Sequence, residues 1–224
     1  MNTMKNIIFR MPDISGVSTV HRFTRPAVKM AVERCDFCNG ILNPDHRHLL
    51  RLDDRKIICT CDPCALRFQS AAGGRFQLIP REVRVLADFQ MTDADWEELG
   101  LPINLAFFIN RAALGKLLAV YPGPARPVET GLSLDSWNQL VTANPVLDGM
   151  KPDVEALLVN RVGNTREYFI APVDACYELV GVIRQNWRDF SGGETIWDEI
   201  KRLFVRLAAQ AVPAAREELI YART

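Results

Sequence analysis

Residues 33–68 read ERCDFCNGILNPDHRHLLRLDDRKIICTCDPCALRF, and this stretch decides how the N-terminal part of the chain folds. It holds two C-x2-C pairs, Cys35 with Cys38 and Cys61 with Cys64. A C-x2-C turn supplies two soft ligands from one tight bend, and a tetrahedral zinc site needs four. Between the pairs, residues 46–52 and 55–61 carry strand-type composition and meet at Asp53-Asp54, so a hairpin brings the two turns together. Aspartate is the residue expected to take the positive φ of that bend. The spacer is longer than the usual window of roughly 15–20 residues, and residues 39–45 can absorb the excess.

The hairpin carries three more ligand-type residues. With the bend centred on Asp53-Asp54, His46 faces Cys61 and His48 faces Cys59. Alternate strand side chains share a face, which puts His46, His48, Cys59 and Cys61 on one side. A loop longer by one residue breaks that pairing. Two readings stand side by side. In the first, the histidines are surface groups that hydrogen-bond thiolate sulfur or backbone around a four-cysteine site. In the second, Cys59, His46 or His48 replaces or adds to the knuckle cysteines, giving a mixed or second site. Zn2+ is the expected metal. An iron–sulfur cluster is the alternative, although the ligand order fits neither ferredoxin nor Rieske spacings.

Outward from this module, 48% hydrophobic and 24% charged residues describe an ordinary globular chain with enough apolar surface for a core. Lys+Arg and Asp+Glu are equal at 27 each, so no overall field draws nucleic acid or an acidic membrane. The apolar runs are strand-sized, and neither a membrane span nor a signal segment is expected. A reducing cytoplasm is the expected setting. There, six cysteines with five between residues 35 and 64 read as metal ligands rather than disulfides.

Residues 1–30 show no periodicity and are expected to be an irregular leader, followed by a zinc-ribbon-like module over 31–72 and an α+β domain over 73–224. Thr92 and Ser133 sit where helix N-caps belong. Residues 103–109 and 116–121 read as one pair of strands, and 154–160 and 167–170 as a second, turning at Gly163-Asn164. The two pairs can share one antiparallel sheet. Asp174 opens an amphipathic helix, the Ser191-Gly192-Gly193 run breaks it, and a last helix over 194–210 carries the stripe Ile196, Trp197, Ile200, Phe204 and Leu207. The fold class is α+β: antiparallel hairpins with packed helices.

Other residues invite a function and have plainer explanations. Gly192-Gly193 could seat an anion but reads as a helix break, since no phosphate-binding pattern surrounds it. Cys176 lies near a helix start, yet its neighbours point to a packed thiol. Trp96, Trp137, Trp187 and Trp197 read as packing residues. Asp153, Glu155, Glu167 and Asp174 read as caps and surface pairs, and His21 has no partner pattern. No catalytic constellation emerges, which favours a non-enzymatic protein.

The run CDFC…HRHLL…CTCDPCALRF, followed by PREVRVLADF, LAFFIN, AVYPGPA, NPVL, PDVEALLVNR, DACYELVGVIRQNW and SGG, resembles an uncharacterised bacterial family. That family is typically encoded beside actinobacterial-type nickel–iron hydrogenase genes. The resemblance runs from about Cys35 to Phe204. It implies a metal-binding accessory role in making, assembling or serving a hydrogenase, with a hydrogenase subunit or maturation factor as protein partner. Two other roles stay open: a redox or metal-delivery protein with an exchangeable centre, and an enzyme whose zinc has an open position.

Overall fold

The computed structural model describes residues 32–69, 74–123, 127–186 and 194–214. The expected leader, His21, Trp187 and the Ser191-Gly192-Gly193 break lie outside them. The described residues from Glu33 onward belong to one compact unit.

The hairpin forms first. Strands β1 (Arg47–Arg51) and β2 (Ile57–Thr60) pair antiparallel with His48 opposite Cys59, the register expected from the bend. The bend itself differs. Arg55, not an aspartate, takes the left-handed conformation at φ 61°. Its guanidinium is held by Glu129 at 2.9 Å and by the Tyr177 hydroxyl, contacts that offset the strain of a non-glycine residue there. Helix α1 (Asp62–Gln69) follows, and β3 (Phe76–Leu78) adds to the free side of β1, giving a sheet in the order β2-β1-β3.

The body is a seven-stranded sheet. Its elements are β4 (Arg84–Val85), α2 (Asp93–Glu98), β5 (Leu105–Arg111), β6 (Lys116–Tyr121), β7 (Val128–Gly131) and α3 (Leu134–Ala143). Then come β8 (Glu155–Asn160), β9 (Glu167–Pro172), α4 (Val173–Asn186), α5 (Glu194–Gln210) and β10 (Val212–Pro213). The strand order is β10-β4-β9-β8-β5-β6-β7, so the two expected hairpins do share one sheet through the β5–β8 pairing. All its pairings are antiparallel except β10 with β4, which is parallel. The expected α+β class holds, with five α-helices among the described residues.

Alternation sorts the strand residues between two cores. On β5, Leu105, Phe107 and Ile109 face one way, where they meet Leu179 and Ile183 of α4 and Ile200, Phe204 and Leu207 of α5. Ala106 and Phe108 face the other, against Trp96 of α2 and Leu140 of α3. Both faces are covered, which is why β8 is buried along its whole length, with the apolar run Ala156–Val159 between Glu155 and Asn160. Thr92 closes a full capping box on α2 with Asp95, and Ser133 caps α3. Trp197 departs from the expected stripe and is 43% exposed. The buried line of α5 is Ile196, Ile200, Leu203, Phe204 and Leu207, and Trp197 falls beside it at the helical repeat.

The small sheet docks on the α4–α5 side of the body. Leu50 of β1 and Ile79, just past β3, belong to the same core cluster as Phe107 and Phe204. Leu50 is 1% exposed, as a strand residue buried against a second layer must be.

Candidate metal centre

The first knuckle folds back on itself through Asn39 N–H to Cys35 C=O and Cys35 N–H to Gly40 C=O, both 2.8 Å. Asn39 takes φ 61°, a left-handed angle that asparagine tolerates better than most residues. The second knuckle leads into α1, with Ala65 N–H donating to Cys61 C=O at 2.9 Å.

Asp36 fastens the first knuckle to β2. Its N–H donates to Cys59 C=O at 2.9 Å, and its carboxylate accepts from Cys59 N–H at 2.8 Å. Phe37 stacks on Phe68 of α1 at 4.1 Å between ring centres and meets Phe76 of β3 edge-on at 5.3 Å. These contacts bring together the turn that precedes β1 and the turn that follows β2, at the open end of the hairpin.

The result is a cluster of the Cys35, Cys38, Cys61 and Cys64 sulfurs, all within 4.8 Å of one another. Cys38 and Cys61 stand 3.7 Å apart. Four sulfurs each about 2.3 Å from a tetrahedral ion are separated by roughly 3.8 Å, so this spacing suits one metal. These four cysteines could hold a metal ion.

Their electrostatics point the same way. Burial opposes ionisation of Cys35, but the N–H groups of Cys38, Cys61 and Phe37 outweigh it and bring the thiol down to about 6. Burial and the neighbouring sulfurs push Cys64 up to about 12. At Cys38 the Gly40 backbone favours the thiolate, yet Cys35 and Cys61 beside it raise the thiol above its usual value. Without a cation the cluster resists charging all its sulfurs, and a divalent ion removes that resistance.

The remaining ligand-type residues gather separately. Donor atoms of His46, His48 and Cys59 lie within 4.8 Å of one another. Cys59 thus groups with the histidines rather than with the four knuckle cysteines. The expected four-residue face splits, because the ladder ends at Arg47–Thr60 and α1 begins at Asp62, which turns Cys61 toward Cys38. Burial, followed by the negative charges of Asp36, Glu33 and Asp174, raises the Cys59 thiol.

The other candidates are structural. Cys176 is fully buried, and burial drives its thiol up out of the reactive range. Glu155 pairs with Arg84 at 3.2 Å, Glu167 accepts from Asn160 at 2.8 Å, and Asp153 accepts from Ala112 N–H at 3.2 Å. Trp96 is buried against Phe108, and Trp137 packs near the same ring. Asp174 does more than the other acids: at the start of α4 its Oδ1 accepts from Ala175 N–H at 2.8 Å, and its Oδ2 lies 2.6 Å from His48 Nδ1. Nothing in the local pattern announces that contact, which spans 126 positions of sequence. Asp36 was also missed, although its place inside the first knuckle was a usable signal.

Neither the curated proteins nor the solved structures contain a match to the chain. A family model does match, over residues 34–211, from the residue before the first knuckle to the end of α5, and the chain accordingly belongs to the family of unknown function DUF5947.

Proposed function

We propose that Cys35, Cys38, Cys61 and Cys64 bind one Zn2+ as a structural zinc ribbon. In this reading the protein is a non-enzymatic accessory protein that presents the ribbon and its α+β body to a protein partner. The supporting observation is the convergence of four sulfurs from two knuckles at one end of a hairpin. A zinc closed by four thiolates has no open position for substrate, so its contribution is to fold and stiffen the module. The free cysteines fit a reducing cytoplasm. Among the described residues no helix is long and apolar enough to cross a membrane. The resemblance across the knuckles and the downstream motifs makes a nickel–iron hydrogenase subunit or maturation factor the proposed partner.

Metal analysis with X-ray absorption tests the first half: a colourless protein whose zinc includes a sulfur-only shell is expected. Iron with visible charge-transfer absorption overturns it in favour of a redox centre. Co-purification of the tagged full chain with hydrogenase components tests the second half, and a solitary protein in hydrogenase-expressing cells refutes it.

A further inference from the structure

We propose that His46, His48 and Cys59 form a second metal site, separate from the four-cysteine centre, which takes a borderline divalent cation such as Zn2+ and leaves a fourth position open. The argument starts from which ring nitrogens carry protons. The His46 Nδ1 lies 2.9 Å from the Asn43 carbonyl oxygen, and the His48 Nδ1 lies 2.6 Å from the Asp174 carboxylate. Carbonyl and carboxylate oxygens only accept, so both Nδ1 atoms carry the hydrogen. In two neutral rings both Nε2 atoms then present lone pairs.

Those two Nε2 atoms face each other at 3.0 Å. Two acceptors do not approach that closely unless a cation or an extra proton lies between them. Two nitrogens bound to one tetrahedral zinc at about 2.0–2.1 Å are spaced roughly 3.3–3.4 Å apart, so a small opening of the ring pair seats the ion. The Cys59 sulfur joins them within 4.8 Å, supplying a third ligand from the position directly across the hairpin from His48.

The surroundings have the form of a metal site's outer layer. Each ring donates its other N–H to a fixed oxygen, which orients the imidazole and raises its basicity toward a metal. Glu33 lies 3.5 Å from His46 Nδ1, so acids flank both histidines and balance the cation's charge. A set of two imidazoles and one thiolate selects zinc, cobalt, nickel or copper over magnesium and calcium. His46 is nearly buried, with 6% of its side chain exposed, whereas His48 is 28% exposed. Three protein ligands with one partly open flank leave room for water or an incoming ligand. The four-cysteine centre has no such opening, so metal in the second site exchanges faster.

The test uses the full chain and Co2+ or Zn2+ alone. The expected result is two equivalents per wild-type chain, one with sulfur-only and one with nitrogen-rich coordination in the Co2+ spectrum. His46→Gln and, independently, Cys59→Ser lose the nitrogen-rich equivalent and keep the other, so the outcome survives if one variant misfolds. Cys61→Ser disrupts the sulfur-only signal and spares the nitrogen-rich one, which separates failure of this site from failure of the zinc-ribbon reading. Asp174→Asn weakens the second equivalent by about 10–100-fold at unchanged saturation stoichiometry. Identical stoichiometry and spectra in wild type, His46→Gln and Cys59→Ser overturn the proposal, leaving the ring pair to share a proton. Loss of both signals in Cys61→Ser overturns it too, because the two sets then form one cluster.

Discussion

Replacing Cys61 by serine removes one of four sulfurs while leaving the hairpin and α1 almost unchanged in shape. The Cys61 carbonyl still accepts from Ala65, and the hydroxyl occupies nearly the same volume, so the apo protein is expected to fold as before. Its sulfur lies 3.7 Å from Cys38 and within 4.8 Å of the other two, making it an equal member of the set. Structural zinc in finger peptides contributes about 10–16 kcal/mol. A quarter of that is about 3 kcal/mol, a loss on the order of 100-fold in affinity. Competition against a chromophoric chelator measures this directly. Amide exchange reports the local consequence: the Cys59 and Asp36 N–H groups, which lock the first knuckle to β2, should lose protection on chelation in wild type. In the Cys61→Ser protein they should already exchange faster at limiting zinc. Equal affinity in the two proteins, or amides that stay protected after complete metal removal, refutes the idea that an ion holds these turns together.

Three other outcomes follow from the same contacts. Cys38 and Cys64 both lie above the ordinary thiol value without metal, so uptake near neutral pH displaces at least two protons. Affinity should therefore fall on the order of 100-fold for each unit of acidification, and more steeply below about 6, where Cys35 also protonates; titrations against a chelator at several pH values check the slope. Leu50→Ala should cost about 2–5 kcal/mol, read by urea unfolding, because this β1 side chain is buried in the body's core. Thr92→Ala breaks the α2 capping box and should cost about 1 kcal/mol by thermal melting, with metal content unchanged.

Much of this arrangement is legible in the residues because local signals agree. Two C-x2-C turns flank a strand pair, and a symmetric bend at Asp53-Asp54 keeps His48 opposite Cys59 even though Arg55 takes the strained angle. The caps at Thr92 and Ser133 and the apolar runs of β5, β6, β8 and β9 behave as their composition dictates. What escapes is short or distant. Strands β3, β4 and β10 have two or three residues each, too few to show alternation, and they form only because a partner edge is waiting. Likewise, Asp174 reaches His48 through tertiary packing alone. The division of the hairpin's ligands into two sets depends on where β2 stops, and element ends are the part of a sequence reading with the weakest physical signal.

The outer strands of the large sheet also bear on how the protein behaves in concentrated solution. A seven-stranded array with a largely apolar interior is a template for stacking against copies of itself wherever a long row of free amides is left at its border. Here the border strands are β7, four residues long, and β10, only two, one of them a proline with no N–H to offer. Such clipped margins discourage sheet-to-sheet growth, so the molecule can keep a greasy centre without recruiting its neighbours into fibres.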